Sequence, residues 1–563
     1  MASISSREDI SKNDGVATEK HTRPHTSYME GEIEVVEHNS GLQRSMGNRQ
    51  VQLLAIGGSI GTATFVSIGI TLYHSGPIGL LLGFAIYSCI LALVNNAVAE
   101  MVVFMPVTAS FIRHGSKWVD DAWGFMASWN FFFYEAVLIP FEITALGLVL
   151  SFWRDDIPIA AICAGCSVLY GIINLLPVSY YGETEFWLSG GKVLLLAILY
   201  CFTFITMVGG NPQHDAYGFR HWKSPGPFVE YLASRNSGKF QGFLASLWSA
   251  SFAVVGPEYL AMVAGEAKLP RTTLKRAFKT IYARMALMFV GSALCVGIVI
   301  ASNDPTLVAI ANRTAPGSGS GAASPYIIAM TNLGIGTLPH IVNALLVTSI
   351  FSAGNTYFYC AIRSLHGLAE DGHAPKMFKK CIKWGTTIYC WAIVMAFPFL
   401  SFLQVSNSSA VVLTWLINLV TATTLIDYIV MCVNFLFFFR ALKAQKYDRD
   451  SLPYKGFWHP WSTVFALCFE TLVLGGYGYS TFLPGAFTVA DFLSYYTMVF
   501  LAIFLFGFWK LVKRTKMVKP EEADLVWEKP SIDRYEEQST ETSVGFTTFV
   551  KGLLGRKKHV HSA

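Results

Sequence analysis

Four carboxylic acids stand inside long apolar stretches of this 563-residue chain: Glu135, Glu142, Glu258 and Asp427. A charged side chain is costly at bilayer depth, so an acid kept there marks an ion path, a proton relay or a buried hydrogen bond. Glu135 and Glu142 are seven residues apart, which sets them on nearly one face of a helix. An acid shielded from water can take up and release a proton, and on this ground Glu135, Glu258 and Asp427 are candidate proton-coupling residues. Ionised and facing a cavity, Glu135 and Asp427 would favour a positively charged ligand. The alternative is a protonated carboxyl bonded to a neighbouring helix, serving packing alone.

Two backbone features accompany these acids. The stretch Ala55-Ile-Gly-Gly-Ser-Ile-Gly-Thr-Ala-Thr-Phe65 crowds glycines and hydroxyl residues into an apolar run from Val51 to Tyr73, although glycine weakens a helix interior by about 1 kcal/mol relative to alanine. In a later run, Leu247 to Tyr259, a Gly256-Pro257 pair precedes Glu258. Proline removes an amide donor and clashes with the preceding turn, so a break is expected between Ala253 and Pro257. Unpaired backbone is tolerated at membrane depth only where it lines a cavity or is buried in protein. An unwound turn offers amides at one half-helix, suited to a carboxylate, and carbonyls at the other, suited to an ammonium. Gly57 and Gly61 also form a Gly-x-x-x-Gly pair, the close-packing motif of membrane helices; the matching break in the later run favours binding.

The elements that must position these groups are membrane helices. Hydrophobic residues make up 53% of the chain and charged residues only 14%, against about 25% charged in soluble domains; the mean hydropathy is +0.44. About twelve apolar spans are predicted, at 51–74, 78–102, 123–152, 158–180, 187–209, 241–264, 281–302, 336–366, 386–404, 409–439, 462–483 and 490–512. The broken spans are the first of one group of five and the first of the next, the arrangement of transporters built on inverted repeats. With both termini cytoplasmic, the inside loops collect about eighteen Lys/Arg and the outside loops about six. Asn312-Arg-Thr314 then lies outside as a glycosylation candidate, and Asn407-Ser-Ser409 is discounted as too close to the bilayer. The polar tails, 1–45 and 515–563, read as disordered cytoplasmic segments. Lys12, Lys20 and Ser539 to Ser543 are candidate modification sites there, for endocytic or ubiquitin machinery. The run Phe435 to Phe439 reads as lipid-facing, and Glu100 as near enough to a helix end to reach water.

Several classes are excluded or disfavoured. The cysteines sit mostly in apolar runs as inert thiols, and Cys163-x-x-Cys166 lies in a membrane span, so no metal site is expected. The glycine-rich run lacks the lysine of a phosphate loop. No catalytic constellation points to an enzyme, no cofactor is implied, and a net charge of +5 gives no support to nucleic-acid binding.

At the broken helices the chain resembles the amino acid–polyamine–organocation superfamily, and closely its fungal amino acid permease branch. The resemblance runs from about Leu42 to Leu511. It rests on Gly58-Ser-Ile-Gly-Thr62, Ala99-Glu-Met-Val-Val-Phe-Met-Pro106, Pro140-Phe-Glu142, Ala264-Gly-Glu-Ala-Lys-Leu-Pro-Arg271, Ser352-Ala-Gly-Asn-Thr356, Leu368-Ala-Glu-Asp-Gly-His-Ala-Pro375, Arg440-Ala-Leu-Lys-Ala-Gln445 and Leu452-Pro-Tyr454. It implies an all-α membrane protein of the leucine-transporter type: repeat one at 51–209, repeat two at 241–439 and extra helices at 462–512, within a permease domain of 46–514. It also implies proton-coupled import of amino acids or amines across the plasma membrane.

Carried over, Gly58, Ser59, Ile60, Gly61 and Thr62 would meet a substrate carboxylate. Carbonyls near Phe252, Ala253, Val255 and Gly256 would meet its amine, with Phe252 as a gate and Glu142 beside the site. Pro257 and Ala63 depart from the branch, which usually has Thr and Gly there. Lys192, in the fifth span, would take the place of a sodium ion and change charge during the cycle; the other reading is a lysine snorkelling to the surface. Ser349, Ser352 and Asn355 would line the ion path or bond between helices. Proton symport of an amino acid or amine is therefore expected. The alternatives are import of a cationic amine, such as a polyamine, carnitine or a basic amino acid, and a sensor that keeps the fold without transporting.

Overall fold

The computed structural model describes residue 44 and residues 46–538, apart from 155, 177, 313–323, 382–386, 407–408 and the side chains of a few others. Asn407, Lys12, Lys20 and Ser539 to Ser543 lie outside the described residues.

A bilayer leaves no water for backbone groups, so a spanning chain must satisfy them within each segment. The described residues accordingly hold helices and no strand beyond one parallel bridge, Met46 to Ala267. In chain order the helices are α1 (Asn48–Ser59), α2 (Ile68–Phe104), α3 (Ser110–Trp118), α4 (Asp121–Leu150), α5 (Ile159–Leu175), α6 (Val178–Met207), α7 (Arg220–Lys223), α8 (Arg235–Ala253), α9 (Pro257–Met262) and α10 (Pro270–Arg284). They continue with α11 (Gly291–Val299), α12 (Pro305–Ala311), α13 (Pro325–Asn332), α14 (Leu338–Glu370), α15 (Ile388–Val394), α16 (Ser409–Ala444), α17 (Trp461–Gly476), α18 (Val489–Lys513) and α19 (Lys529–Gln538). Wider turns at Ala63–Ser67 and Met285–Val290 join α1 to α2 and α10 to α11.

Eight helical stretches among the described residues are long and apolar enough to cross a membrane, and Ile159–Leu175 and Trp461–Gly476 are shorter apolar helices. One of the eight, Ala63–Phe104, turns at Gly76, whose φ of 73° and ψ of 170° interrupt α2 just before Pro77. A side chain there would also strike the backbone of Pro227 and Phe228, within 3 Å. Both constraints require glycine.

α4 occupies the middle, packed along α14 and α16, while α2 packs along α8. Polar side chains in this interior are tied to neighbouring helices: Asn130 donates to Thr423 O at 2.9 Å and Asn343 to Val149 O at 2.9 Å. Large apolar side chains such as Trp187, Leu472, Ile503 and Phe504 instead face outward. An outer surface this apolar suits lipid contact and not water.

Four sequence expectations change. The fifth span starts at Val178 and not at 187, which draws Glu183 and Glu185 into α6. Phe435 and Phe438 are buried, stacked among Phe104 and Trp118, because only one face of that aromatic run points outward. Glu100 does not reach water: it is fully buried and bonded by Arg449 at 2.7 Å through both carboxylate oxygens. The expectation of disorder from 515 fails as far as 538. Leu525 and Ile532 are buried, Trp118 donates to Asp524 O at 2.9 Å, and Arg271 pairs with Asp533 and bonds Glu536 through its backbone N at 2.9 Å. Acidic residues of the segment meet a basic surface, which a reading by hydrophobicity alone passes over.

Candidate functional site

α1 stops at Ser59 because Ile60 is extended, with φ −117° and ψ 108°. The last carbonyls of a helix have no partner within it, and here side chains supply them. Lys192 Nζ from α6 donates to Gly57 O at 2.5 Å, and the Tyr357 hydroxyl from α14 donates to Gly58 O at 2.9 Å. Across the gap, Thr62 N donates to Glu142 Oε1 at 3.4 Å, and the Thr62 hydroxyl to Glu142 Oε2 at 2.5 Å. A lysine thus sits at the negative end of one half-helix and a carboxyl group at the positive end of the next, placements that would favour their charged forms.

The glycines are dictated by close approach. A Cβ on Gly57 would come within 2.4 Å of Glu185 Oε1, one on Gly58 within 2.6 Å of the Tyr259 ring, and one on Gly61 within 2.4 Å of Glu142 Oε1. The Gly-x-x-x-Gly reading and the open-backbone reading therefore meet: the glycines let side chains of α4, α6 and α9 press on the break.

The second interruption runs from Val254 to Gly256, between α8 and α9. Gly256 has φ 157° and ψ −43°, and Pro257 opens α9 at its first position, where a missing amide costs nothing. Glu258 folds back on its own helix: Gly256 N donates to its carboxylate oxygens at 3.1 and 3.0 Å, and the Tyr428 hydroxyl to both at 3.2 Å.

Both interruptions border one small cavity, lined by Ser59, Gly61, Ala63, Glu142, Phe252, Ala253 and Val255 from the expected set and its neighbours. Its volume of about 20 Å³ holds little more than one water, so the aromatic wall must move to admit anything larger. That wall includes Phe252, edge-on to Phe141 with centroids 5.3 Å apart, together with Tyr134 and Tyr357. Tyr134, Leu138, Tyr357 and Val420 were not picked out from the sequence, since aromatic and aliphatic residues in apolar runs carry no separate signal.

The remaining candidates lie elsewhere. Lys192 is fully buried and does not snorkel. Glu135, also fully buried, has no hydrogen bond on either oxygen, and Asp427 accepts from Asn130 at 2.9 Å. Neither lines the cavity, so neither is placed to favour a cationic ligand there. Gly58, Ile60, Thr62 and Gly256 are buried at the breaks without bordering the cavity. Ser352 bonds to Glu185 at 2.6 Å and Asn355 accepts from Asn174 at 2.8 Å, whereas the buried Ser349 hydroxyl has no partner. Asn312 is exposed just after α12, and its side chain accepts from Tyr73 at 3.2 Å.

Apolar helices of membrane length, with two interrupted ones meeting at a small internal cavity, define a multi-pass membrane protein. The sequence places it further: residues 50–521 match the amino acid permease family, and the chain belongs to that family. It is 46% identical over 506 residues to the general amino acid permease AGP2 of Saccharomyces cerevisiae, covering 88% of this chain and 84% of that one. It is 34% identical to a proline-specific permease of Emericella nidulans, over 91% of this chain and 92% of that one. A lysine-specific permease of Saccharomyces cerevisiae is 32% identical, over 86% and 78% respectively.

Proposed function

We propose that this chain is a secondary active carrier that imports an amino acid across the plasma membrane by proton symport, with both termini cytoplasmic. The observation that carries the reading is the convergence of two interrupted helices on one cavity. In this account the chain crosses twelve times: the turn at Gly76 divides one stretch into two spans, and α5, α17 and the broken α8–α9 pair complete the eight longer helices. The breaks then head two five-helix repeats of inverted topology, with α17 and α18 appended.

Each break offers part of an amino acid's complement. The Thr62 amide end suits a carboxylate, and displacing Glu142 from it opens that position. The end of α8 presents Phe252 and Ala253 at the cavity, where helix-terminal carbonyls suit an ammonium. Lys192, with Glu258, Glu135 and Asp427 as further candidates, carries the proton. Alternating access follows from rocking of one repeat against the other.

A second reading, import of a cationic amine such as a basic amino acid, carnitine or a polyamine, draws support from Glu142, the acid that borders the cavity. Competition between labelled neutral amino acids, lysine and spermidine separates the two. Pronounced inhibition by the cations alone favours the second. Surface display of the chain with no uptake of any of them favours a sensor.

A further inference from the structure

Glu185 lies outside the cavity lining and just ahead of the span that hydropathy predicts at 187–209. It is 2% exposed. Its Oε1 accepts from Ser189 at 2.9 Å and from Ser352 of α14 at 2.6 Å, while the buried Oε2 has no hydrogen-bond partner. Glu185 and Lys192 are seven residues apart on α6 and so lie close to one face. Both converge on Gly57, the lysine on its carbonyl at 2.5 Å and the carboxylate against its Cα. One residue of α1 is thus seated between a cation and an acid, and the acid is tied to α14.

Other groups reach this acid as well. Lys192 and Tyr181 do so on α6, with Tyr181 stacked on Tyr359 at 4.1 Å. Tyr170 comes from α5 and Cys360 from α14. On α1, Arg49 stacks over the neighbouring Phe186 of α6 and not on Glu185, and Glu142 of α4 acts on Lys192. α11 meets α6 farther along, where Cys295 faces Thr203.

We infer that Glu185, rather than Lys192 itself, takes up the proton, and that its protonation decides whether α1 stays seated on α6 through a Lys192 that stays charged. The inference rests on the proton-symport reading above. An ionised carboxylate with an empty oxygen beside a buried ammonium would pair with it, yet the ammonium is on Gly57 O and Oε2 stands free. That is the pattern of a protonated Glu185. The Thr356 hydroxyl donates to Ser352 O at 3.1 Å and keeps lone pairs with which it can accept a further hydrogen bond. The step is one proton taken from water at Oε2 and later returned to water, with no other bond changed. On its loss, the carboxylate draws Lys192 from Gly57 O, and α1 is free to move.

The test is initial uptake against external pH for the wild type, Glu185→Gln, Glu185→Asp and Ser352→Ala, each normalised to surface display, with and without a protonophore. Glu185→Gln is expected to flatten the pH profile and to lower accumulation against a gradient at least ~10-fold while counterflow exchange persists; Glu185→Asp restores the pH dependence. Ser352→Ala removes a donor to the charged carboxylate and moves the profile about one unit to higher pH. A wild-type profile in Glu185→Gln overturns the inference; should that variant fail to reach the surface, an unmoved profile in Ser352→Ala does so. Wild-type uptake indifferent to the protonophore overturns instead the symport reading beneath it.

Discussion

Lys192 and Glu142 cap opposite sides of the gap that follows α1, the lysine on Gly57 O at 2.5 Å and the carboxylate on Thr62 N at 3.4 Å. The gap between Ser59 and Thr62 is therefore a defined structure with its own cation and anion. On the proposed reading, a zwitterion would compete with Glu142 for the Thr62 amide, which would link substrate binding to the position of α4.

Replacing Lys192 by Met removes the side chain that satisfies Gly57 O. A buried carbonyl left unpaired costs about 1–3 kcal/mol, and the break loses its complementary charge. Uptake by Lys192→Met should fall at least ~10-fold with the chain still at the surface, as measured by labelled uptake normalised to surface biotinylation. Unchanged uptake would remove Lys192 from the coupling scheme.

Gly61→Ala puts a methyl group where Glu142 Oε1 now lies, 2.4 Å from the new carbon. Either the carboxylate leaves Thr62 or the helices separate. Gly61→Ala should reduce uptake several-fold and Gly61→Leu abolish it, again with surface display retained. The comparison checks whether the cost follows the size of the side chain.

Glu100 is buried and bonded by Arg449 and by Gly456 N at 2.7 Å. Removing one partner of such a pair leaves a buried charge, at about 3–5 kcal/mol. Arg449→Ala should therefore lower the detergent melting temperature far more than Lys519→Ala, whose ion pair with Glu522 is exposed. A thermal-shift assay on the purified protein compares them.

The segment before and within α19 is held by Arg271 to Asp533, Arg113 to Glu528 at 3.5 Å and the Trp118 bond to Asp524. Arg271→Ala should expose Lys529 and Arg534 to limited trypsin digestion in native membranes, at least ~5-fold faster than in the wild type, while uptake competence is scored in parallel. Equal digestion rates would mean that the ion pair does not hold the segment.

The breaks were legible because Gly and Pro act on the backbone directly: the gap at Ile60 and the gap ending at Gly256 fall where composition placed them. The acids Glu142 and Glu258 were legible as anomalies in apolar runs, although not their partners, because Thr62 and Gly256 are found only by folding. Glu185 was missed for a local reason: Glu183 and Glu185 put two acids just ahead of the apolar run that opens at 187, so hydropathy places them in a loop. Burial of Phe435 and Phe438 was missed because an unbroken aromatic run has no period to tell the protein-facing side from the lipid-facing side. The ordered part of the tail was missed because its order comes from charges on other elements, which no local window contains.

Accumulation of labelled amino acids in cells stripped of their own permeases tests the central claim most directly, with the pH gradient intact and then collapsed. The account predicts concentrative uptake of at least one amino acid or amine, abolished by the protonophore and by Phe252→Ala through damage to the cavity wall. Surface display of the chain with no concentrative uptake of any compound in the panel, at any external pH, would contradict it.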